Sequence, residues 1–266
     1  MTKLQIIGGG RMGGALLEGL LAAGWAEPSD LAVVEVDPAA RDELAQRHPQ
    51  LLVRDRPVTA ADALVAVKPH LVAEVCRSLA TVGAGRVLSI AAGVTLAVLE
   101  AELPPGTPVV RAMPNTPALV GAGAAALTGG TAAGPADVEW SAGILRAVGE
   151  VVVVPESQLD AVTGLSGSGP AYVLLFLEAL VDAGVTSGLP RPAAESLARA
   201  TLLGTARLVV ETGASPTELR AGVTTPGGTT AAGIRVLEQR ALRAAVIDAV
   251  AAATERSRQL AAPPDR

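Results

Sequence analysis

The segment Gly8-Gly9-Gly10-Arg11-Met12-Gly13 constrains the fold more than any other part of the chain. It has the spacing G-x-G-x-x-G. It follows a short apolar run, Leu4 to Ile7, and opens a stretch with helical spacing: Met12, Ala15, Leu16, Leu20 and Ala23. In such a strand–turn–helix unit the first glycine makes the tight turn. The second lets a pyrophosphate approach the backbone, and the third lets helix and strand pack closely with the helix N-terminus facing the phosphates. The segment therefore predicts a dinucleotide site, with Gly8, Gly10, Arg11, Met12 and Gly13 on the cofactor. The plain alternative is a structural turn.

The rest of the first half agrees with that start. Leu31 to Val36, Leu64 to Val67, Arg86 to Ile90, Val109 to Met113, Ala124 to Leu127 and Val151 to Val154 read as further strands, with helical stretches between most of them. Near-continuous apolar strands alternating with helices imply a mostly parallel sheet covered on both faces. After about Glu156 the strands stop. Pro170 to Ser187, Pro192 to Glu211, Thr229 to Gln239 and Ala241 to Leu260 read as helices, apolar over much of their circumference. The expected architecture is an α/β Rossmann-type domain over residues 1–160 and an all-α domain over 161–266. The apolar helices of the second predict burial against another subunit.

Composition narrows the chemistry. The net charge is −5 and only 2% of residues are aromatic, which argues against a nucleic-acid partner. No apolar stretch reaches the roughly 18 uncharged residues of a membrane span, since Glu178 interrupts the richest run, Ala171 to Val181. The N-terminus lacks the apolar stretch and cleavage site of a signal peptide, so a cytoplasmic protein without a membrane partner is expected. Cys76 is the single cysteine, so no internal disulfide or multi-cysteine metal site is expected. The only lysines are Lys3 and Lys68, the only histidines His48 and His70, and the only tyrosine Tyr172. Few side chains are available as strong general acids or bases, and no metal site is expected.

Several further segments carry chemistry. An acidic residue is expected at the end of the second strand, to accept hydrogen bonds from the adenine ribose. Glu35 stands 22 residues after Gly13, and Asp37 follows it. Asp37 before Pro38 equally suits the start of a helix. Ala66-Val67-Lys68-Pro69-His70 lies at the C-terminal end of a predicted strand, where open α/β sheets bind ligands. Arg111-Ala112-Met113-Pro114-Asn115-Thr116-Pro117 follows another strand, and Asn115 offers both a donor and an acceptor. Leu165-Ser166-Gly167-Ser168-Gly169-Pro170-Ala171-Tyr172 is expected to open the first long helix, with free backbone N–H groups for an anion. In Thr224-Thr225-Pro226-Gly227-Gly228-Thr229-Thr230, four hydroxyls and two glycines precede a helix. Backbone N–H groups from Gly228 onward are placed to cradle a carboxylate there.

These motifs, in this order over essentially the whole chain, resemble the pyrroline-5-carboxylate reductase family. The Leu-Ser-Gly-Ser-Gly-Pro-Ala-Tyr and Pro-Gly-Gly-Thr-Thr segments carry the resemblance most specifically, joined by Ala91-Ala92-Gly93. The resemblance implies NAD(P)H-dependent reduction of the cyclic imine 1-pyrroline-5-carboxylate to proline, by interlocked dimers that often assemble into decamers. It implies a nicotinamide near Ala91, Ala92 and the Met113 to Asn115 loop, with Val67, Lys68 and Pro69 on the cofactor. It implies a substrate carboxylate on Thr225, Gly228, Thr229 and Thr230, with Thr230 near the ring nitrogen and Glu156 facing the substrate. The chain departs from the family pattern in two places. Thr225 stands where many members have Ser. Val36 and Asp37 stand where many NADPH-using relatives have Arg, which leans the expectation toward NADH, although Arg41 and Arg54 lie near enough in sequence to meet a 2′-phosphate.

Two other readings compete. A β-hydroxyacid dehydrogenase of the same architecture needs a helix lysine, and the helical half has none. A regulatory nucleotide-binding module accounts for Gly8 to Gly13 but not for the hydroxyl-rich loop.

Overall fold

A computed structural model describes residues 2–261. The chain divides into two compact units: one runs to Ser168 and takes back the chain from Ala251, and the other spans Gly169–Val250.

The first unit is built on an eight-stranded sheet in the order β3-β2-β1-β4-β5-β6-β7-β8. The strands are β1 (Thr2–Ile7), β2 (Leu31–Val34), β3 (Leu52–Arg54), β4 (Ala60–Val65), β5 (Val87–Ser89), β6 (Val109–Met113), β7 (Gly123–Gly129) and β8 (Gly149–Val153). From β3 to β6 every neighbouring pair is parallel. β7 runs antiparallel to β6, and β8 is parallel to β7. The crossovers carry α1 (Arg11–Ala22), α2 (Pro38–Arg47), α3 (Val72–Val82), α4 (Leu96–Ala101) and α5 (Pro135–Arg146).

The period of two along each strand sorts the core into two layers. Leu4, Ile6, Leu31, Val33, Leu64, Leu88 and Val110 pack with Leu16 and Leu20 of α1 on one face. Ile7, Val34, Ala63, Val65, Val87 and Val109 pack with Cys76 and Leu79 of α3 on the other. Burial on both faces is why these strands read as unbroken apolar runs. Burial also pushes the Cys76 thiol up to about 11. The one strand the sequence did not suggest, β3, has three residues and lies at the sheet edge, too short to show a period.

Past the sheet come α6 (Leu159–Val162), α7 (Gly169–Thr186), α8 (Arg191–Thr212), α9 (Pro216–Gly222), α10 (Thr229–Gln239) and α11 (Leu242–Ala261). The compact units do not follow a single cut at residue 160. Residues up to Ser168 stay with the sheet, and so do the last turns of α11. Buried Ser257 donates its hydroxyl to Asp160 (2.6 Å), which ties the end of the chain to α6.

The Gly169–Val250 unit has a small core of its own, Val181, Ala194 and Ala198, with Leu177, Leu180 and Val185 packed around it. Leu174, Leu175 and Phe176 of α7 and Leu197, Leu203 and Val210 of α8 are exposed in the single chain. Among the described residues one helical run, Glu156–Thr186, is long and apolar enough to cross a membrane by length and composition. The run carries Glu178, so it is not an uninterrupted uncharged stretch.

Candidate active site

The glycine turn joins β1 to α1 at the centre of the sheet. This is the switch point, where β1 is flanked by β2 on one side and β4 on the other. Gly8 takes φ +104°, and a Cβ there would lie 2.7 Å from the Ala66 carbonyl oxygen. A Cβ on Gly13 would lie 1.9 Å from the Gly8 carbonyl oxygen, so only glycine lets α1 sit this close to the turn. Around Gly10 the same test meets nothing within 4 Å, which leaves the backbone open on that side. The first intrahelical bond runs from Gly14 N–H to the Gly10 carbonyl (2.7 Å), so the N–H groups of Arg11, Met12 and Gly13 precede it. No acidic residue lies in the first turn of α1. The turn thus fits a pyrophosphate: close backbone, free donors and the positive end of a helix.

Glu35 follows β2 beside this turn, but its carboxylate is already engaged. Oε2 accepts from Gly9 N–H (2.9 Å) and Oε1 from Asp37 N–H (3.0 Å). It braces the glycine turn, with spare lone pairs for a ribose hydroxyl. Asp37 is the N-cap of α2 and accepts from Ala39 N–H (3.0 Å). Arg41 of α2 reaches back to the strand end, where its Nη1 donates to the carbonyls of Glu35 (2.9 Å) and Val36 (2.8 Å).

The next strand ends are on the same edge of the sheet. Ala66 N–H donates to the Ile7 carbonyl (2.8 Å), and the half-buried Val67 lies beside Gly8. Lys68 and Pro69 follow, both exposed. After β5, Ala91 is buried and Ala92 exposed, while Ala91 N–H meets Ser89 Oγ at 3.4 Å. Gly8, Gly10, Arg11, Met12, Gly13, Glu35, Val67, Lys68, Pro69, Ala91, Ala92 and Asn115 all follow the C-terminal ends of mutually parallel strands.

Two polar residues expected at the ligand also hold backbone in place. Asn115 accepts from Ala124 N–H at Oδ1 (2.8 Å) and donates from Nδ2 to the Ser166 carbonyl (3.1 Å). Its carbonyl and its amino group both help fix the loop after β6, with one N–H and one lone pair still to offer. Glu156 Oε1 accepts from Arg111 Nη1 (2.8 Å) and from Leu96 N–H (2.7 Å). It neutralises a guanidinium that is only 8% exposed and caps the start of α4. The ion pair of Arg111 escaped the sequence reading because its partner lies 45 residues away.

The Leu165 to Tyr172 segment leads into the first long helix as expected, but it does so out of helical structure and not out of an open loop. α6 precedes it, Thr163–Gly167 form a π turn, and α7 follows. Ser168 N–H reaches the Thr163 carbonyl (2.8 Å), so the donors thought free for an anion are largely inside helix. The glycines serve close approach instead: a Cβ on Gly167 would come 2.7 Å from Met113 Cε.

The hydroxyl-rich loop belongs to the other unit and leads into α10. Gly228 N–H closes a turn on the Thr225 carbonyl (3.0 Å), with Gly227 at φ +73°. A Cβ on Gly228 would lie 2.4 Å from Thr225 Oγ1. Ala232 N–H makes the first helical bond, to the Gly228 carbonyl (3.2 Å). The donors left for a ligand are therefore the N–H groups of Thr229, Thr230 and Ala231, and not that of Gly228. Thr225, Thr229 and Thr230 are exposed.

Comparison with known proteins completes the picture. Residues 156–260 match the family described as "Pyrroline-5-carboxylate reductase dimerisation", and residues 3–93 match "NADP oxidoreductase coenzyme F420-dependent". The chain is 46% identical to a pyrroline-5-carboxylate reductase of Mycobacterium tuberculosis, over 100% of this chain and 99% of that protein. Its structure is similar to that of a pyrroline-5-carboxylate reductase from Coxiella burnetii (TM-score 0.92, 36% identity, 98% of this chain and 99% of that one). It is also similar to pyrroline carboxylate reductase of Plasmodium falciparum with NADP bound (TM-score 0.83, 28% identity, 98% of each chain).

Proposed function

Because the chain belongs to the pyrroline-5-carboxylate reductase family, we propose that it reduces 1-pyrroline-5-carboxylate to L-proline with NAD(P)H, the last step of proline biosynthesis, in the cytoplasm. The observation that carries this reading is the pairing of two features in one chain. One is a glycine turn with free helix N-terminal donors at the switch point, and the other is the hydroxyl-rich N-terminus of α10.

The roles follow from the chemistry of each group. The N–H groups of Arg11, Met12 and Gly13 hold the pyrophosphate, and Glu35 accepts from the adenine ribose. Val67, Lys68, Pro69, Ala91, Ala92 and the loop fixed by Asn115 line the nicotinamide side. Thr229 and Thr230 N–H groups hold the substrate carboxylate, helped by the dipole of α10 and by the turn that Thr225 and Gly228 make. The Thr230 hydroxyl hydrogen-bonds the ring nitrogen. The bound dinucleotide supplies the hydride. The imine nitrogen can be protonated before reduction, so the protein needs no strong acid, which suits a chain so poor in lysine and histidine. Its task is positioning.

Glu156 is assigned to this site as a brace on Arg111 and α4, at the substrate side. Glu35, with Val36 and Asp37 after it, leans the site toward NADH by several-fold. The exposed apolar faces of α7 and α8, in a segment matching a dimerisation family, support a homodimer, and the resemblance to the family extends this reading to interlocked dimers and a decamer.

The test is a spectrophotometric assay. Purified protein with pyrroline-5-carboxylate should oxidise NADH or NADPH, seen as loss of the reduced-nicotinamide absorbance. No turnover with either cofactor would defeat the reading.

A further inference from the structure

The rim of β2 carries a cation whose position the family resemblance does not account for. Val36, just after the strand, is uncharged and 77% exposed, so its side chain covers little of this rim. Arg41 comes to the same place from the first turns of α2. Its Nη1 is pinned to two successive backbone carbonyls, those of Glu35 and Val36. A guanidinium has five N–H donors in a fixed plane. Two hydrogen bonds through Nη1 fix that plane at the strand end and leave Nε–H and the Nη2 donors without a partner among the described residues.

The two acids at the strand end, Glu35 and Asp37, are each engaged by backbone N–H groups. Glu35 spends Oε2 on Gly9 N–H and Oε1 on Asp37 N–H, and Asp37 spends Oδ1 on Ala39 N–H. Arg54, on the neighbouring strand, donates Nη1 to the Val53 carbonyl and is exposed. It is held at one point only, whereas Arg41 is held at two and sits on the residue that faces the ribose.

We propose that Arg41 is a specificity-determining residue for the dinucleotide. Its pinned guanidinium offers the free donors to a 2′-phosphate on the adenosine ribose, so that the site takes NADPH as well as NADH despite Glu35. The proposal rests on the dinucleotide reading of the glycine turn. A fork already fixed in place loses little freedom on binding, and hydrogen bonds between charged groups are the strong ones. Arg41 thereby offsets the lean toward NADH that Glu35 imposes.

Binding of 2′,5′-ADP and of ADP to the full chain by isothermal titration calorimetry tests this without turnover. The wild type should bind both. Arg41→Met should weaken 2′,5′-ADP by roughly tenfold to a hundredfold and change ADP by less than about threefold. Arg41→Lys keeps the charge and the helix but loses the fork, and should fall between. Equal weakening of both ligands in either variant would make Arg41 a mere support of the strand end and overturn the proposal. Unchanged affinity for 2′,5′-ADP would overturn it as well. Failure of the wild type to bind either ligand would refute the dinucleotide reading itself, a result distinct from the other two.

Discussion

Replacing Glu156 by Ala separates two roles that the sequence alone could not tell apart. If the carboxylate is a brace, the protein must lose stability. If it only faces the substrate, stability must stay. Removing one partner of a buried ion pair costs about 3–5 kcal/mol. The Arg111 side chain is 8% exposed but that of Glu156 is 35% exposed, so water screens part of the pair. We halve the figure to about 2 kcal/mol for that reason. The lost bond to Leu96 N–H adds about 1 kcal/mol, as for a helix N-cap. A sum near 3 kcal/mol lowers Tm by roughly 6–12 °C for a chain of this size. Glu156→Gln keeps an acceptor for Leu96 but loses the charge, so it should show a smaller fall. Differential scanning calorimetry of both variants reads this directly. An unchanged Tm in Glu156→Ala, with activity lost, would refute the brace and return Glu156 to the substrate.

Three further outcomes are expected. Gly13→Ala forces a methyl to 1.9 Å from the Gly8 carbonyl oxygen, where backbone must move, so NADH affinity measured by fluorescence titration should drop by roughly 5- to 150-fold for a displacement costing about 1–3 kcal/mol. Thr230→Val should leave cofactor binding intact and lower kcat by roughly 5- to 150-fold, the loss of a hydrogen bond worth about 1–3 kcal/mol. Steady-state kinetics on the folded variant checks it, and equal kcat would remove Thr230 from the reaction. For Cys76, burial raises the folded-state value to about 11 against about 9 for the free thiol, so the contribution to stability is complete below about pH 9 and is lost as pH rises through 11. A thiol reagent near pH 8 should label Cys76 only after denaturant is added, and rapid labelling of the native protein would contradict its burial.

What the sequence made legible depends on how local the signal is. Val109–Met113 and Thr229–Gln239 have the bounds that periodicity alone suggested. The glycine turn was readable because its three constraints, turn, close approach and packing, all fall within six residues. Asn115 and Glu156 were visible as functional residues but not as ties, since their partners Ser166, Arg111 and Leu96 lie 45 to 60 residues away. The π turn at Thr163–Gly167 was hidden for another reason. Glycine and serine clusters commonly mark the start or end of a helix, and only the bond from Ser168 to Thr163 reveals a widened turn within helical structure.

The rejoining of the chain's last turns to the sheet unit bears on how the protein is made. Asp160 stands 97 positions ahead of its partner Ser257, and Gly93 lies against the backbone of Leu260 and Ala261. A ribosome delivers the sheet well before this segment. The unit that begins folding earliest is therefore completed only after all of Gly169–Val250 has been synthesised, and truncation at Val250 leaves it without that packing surface.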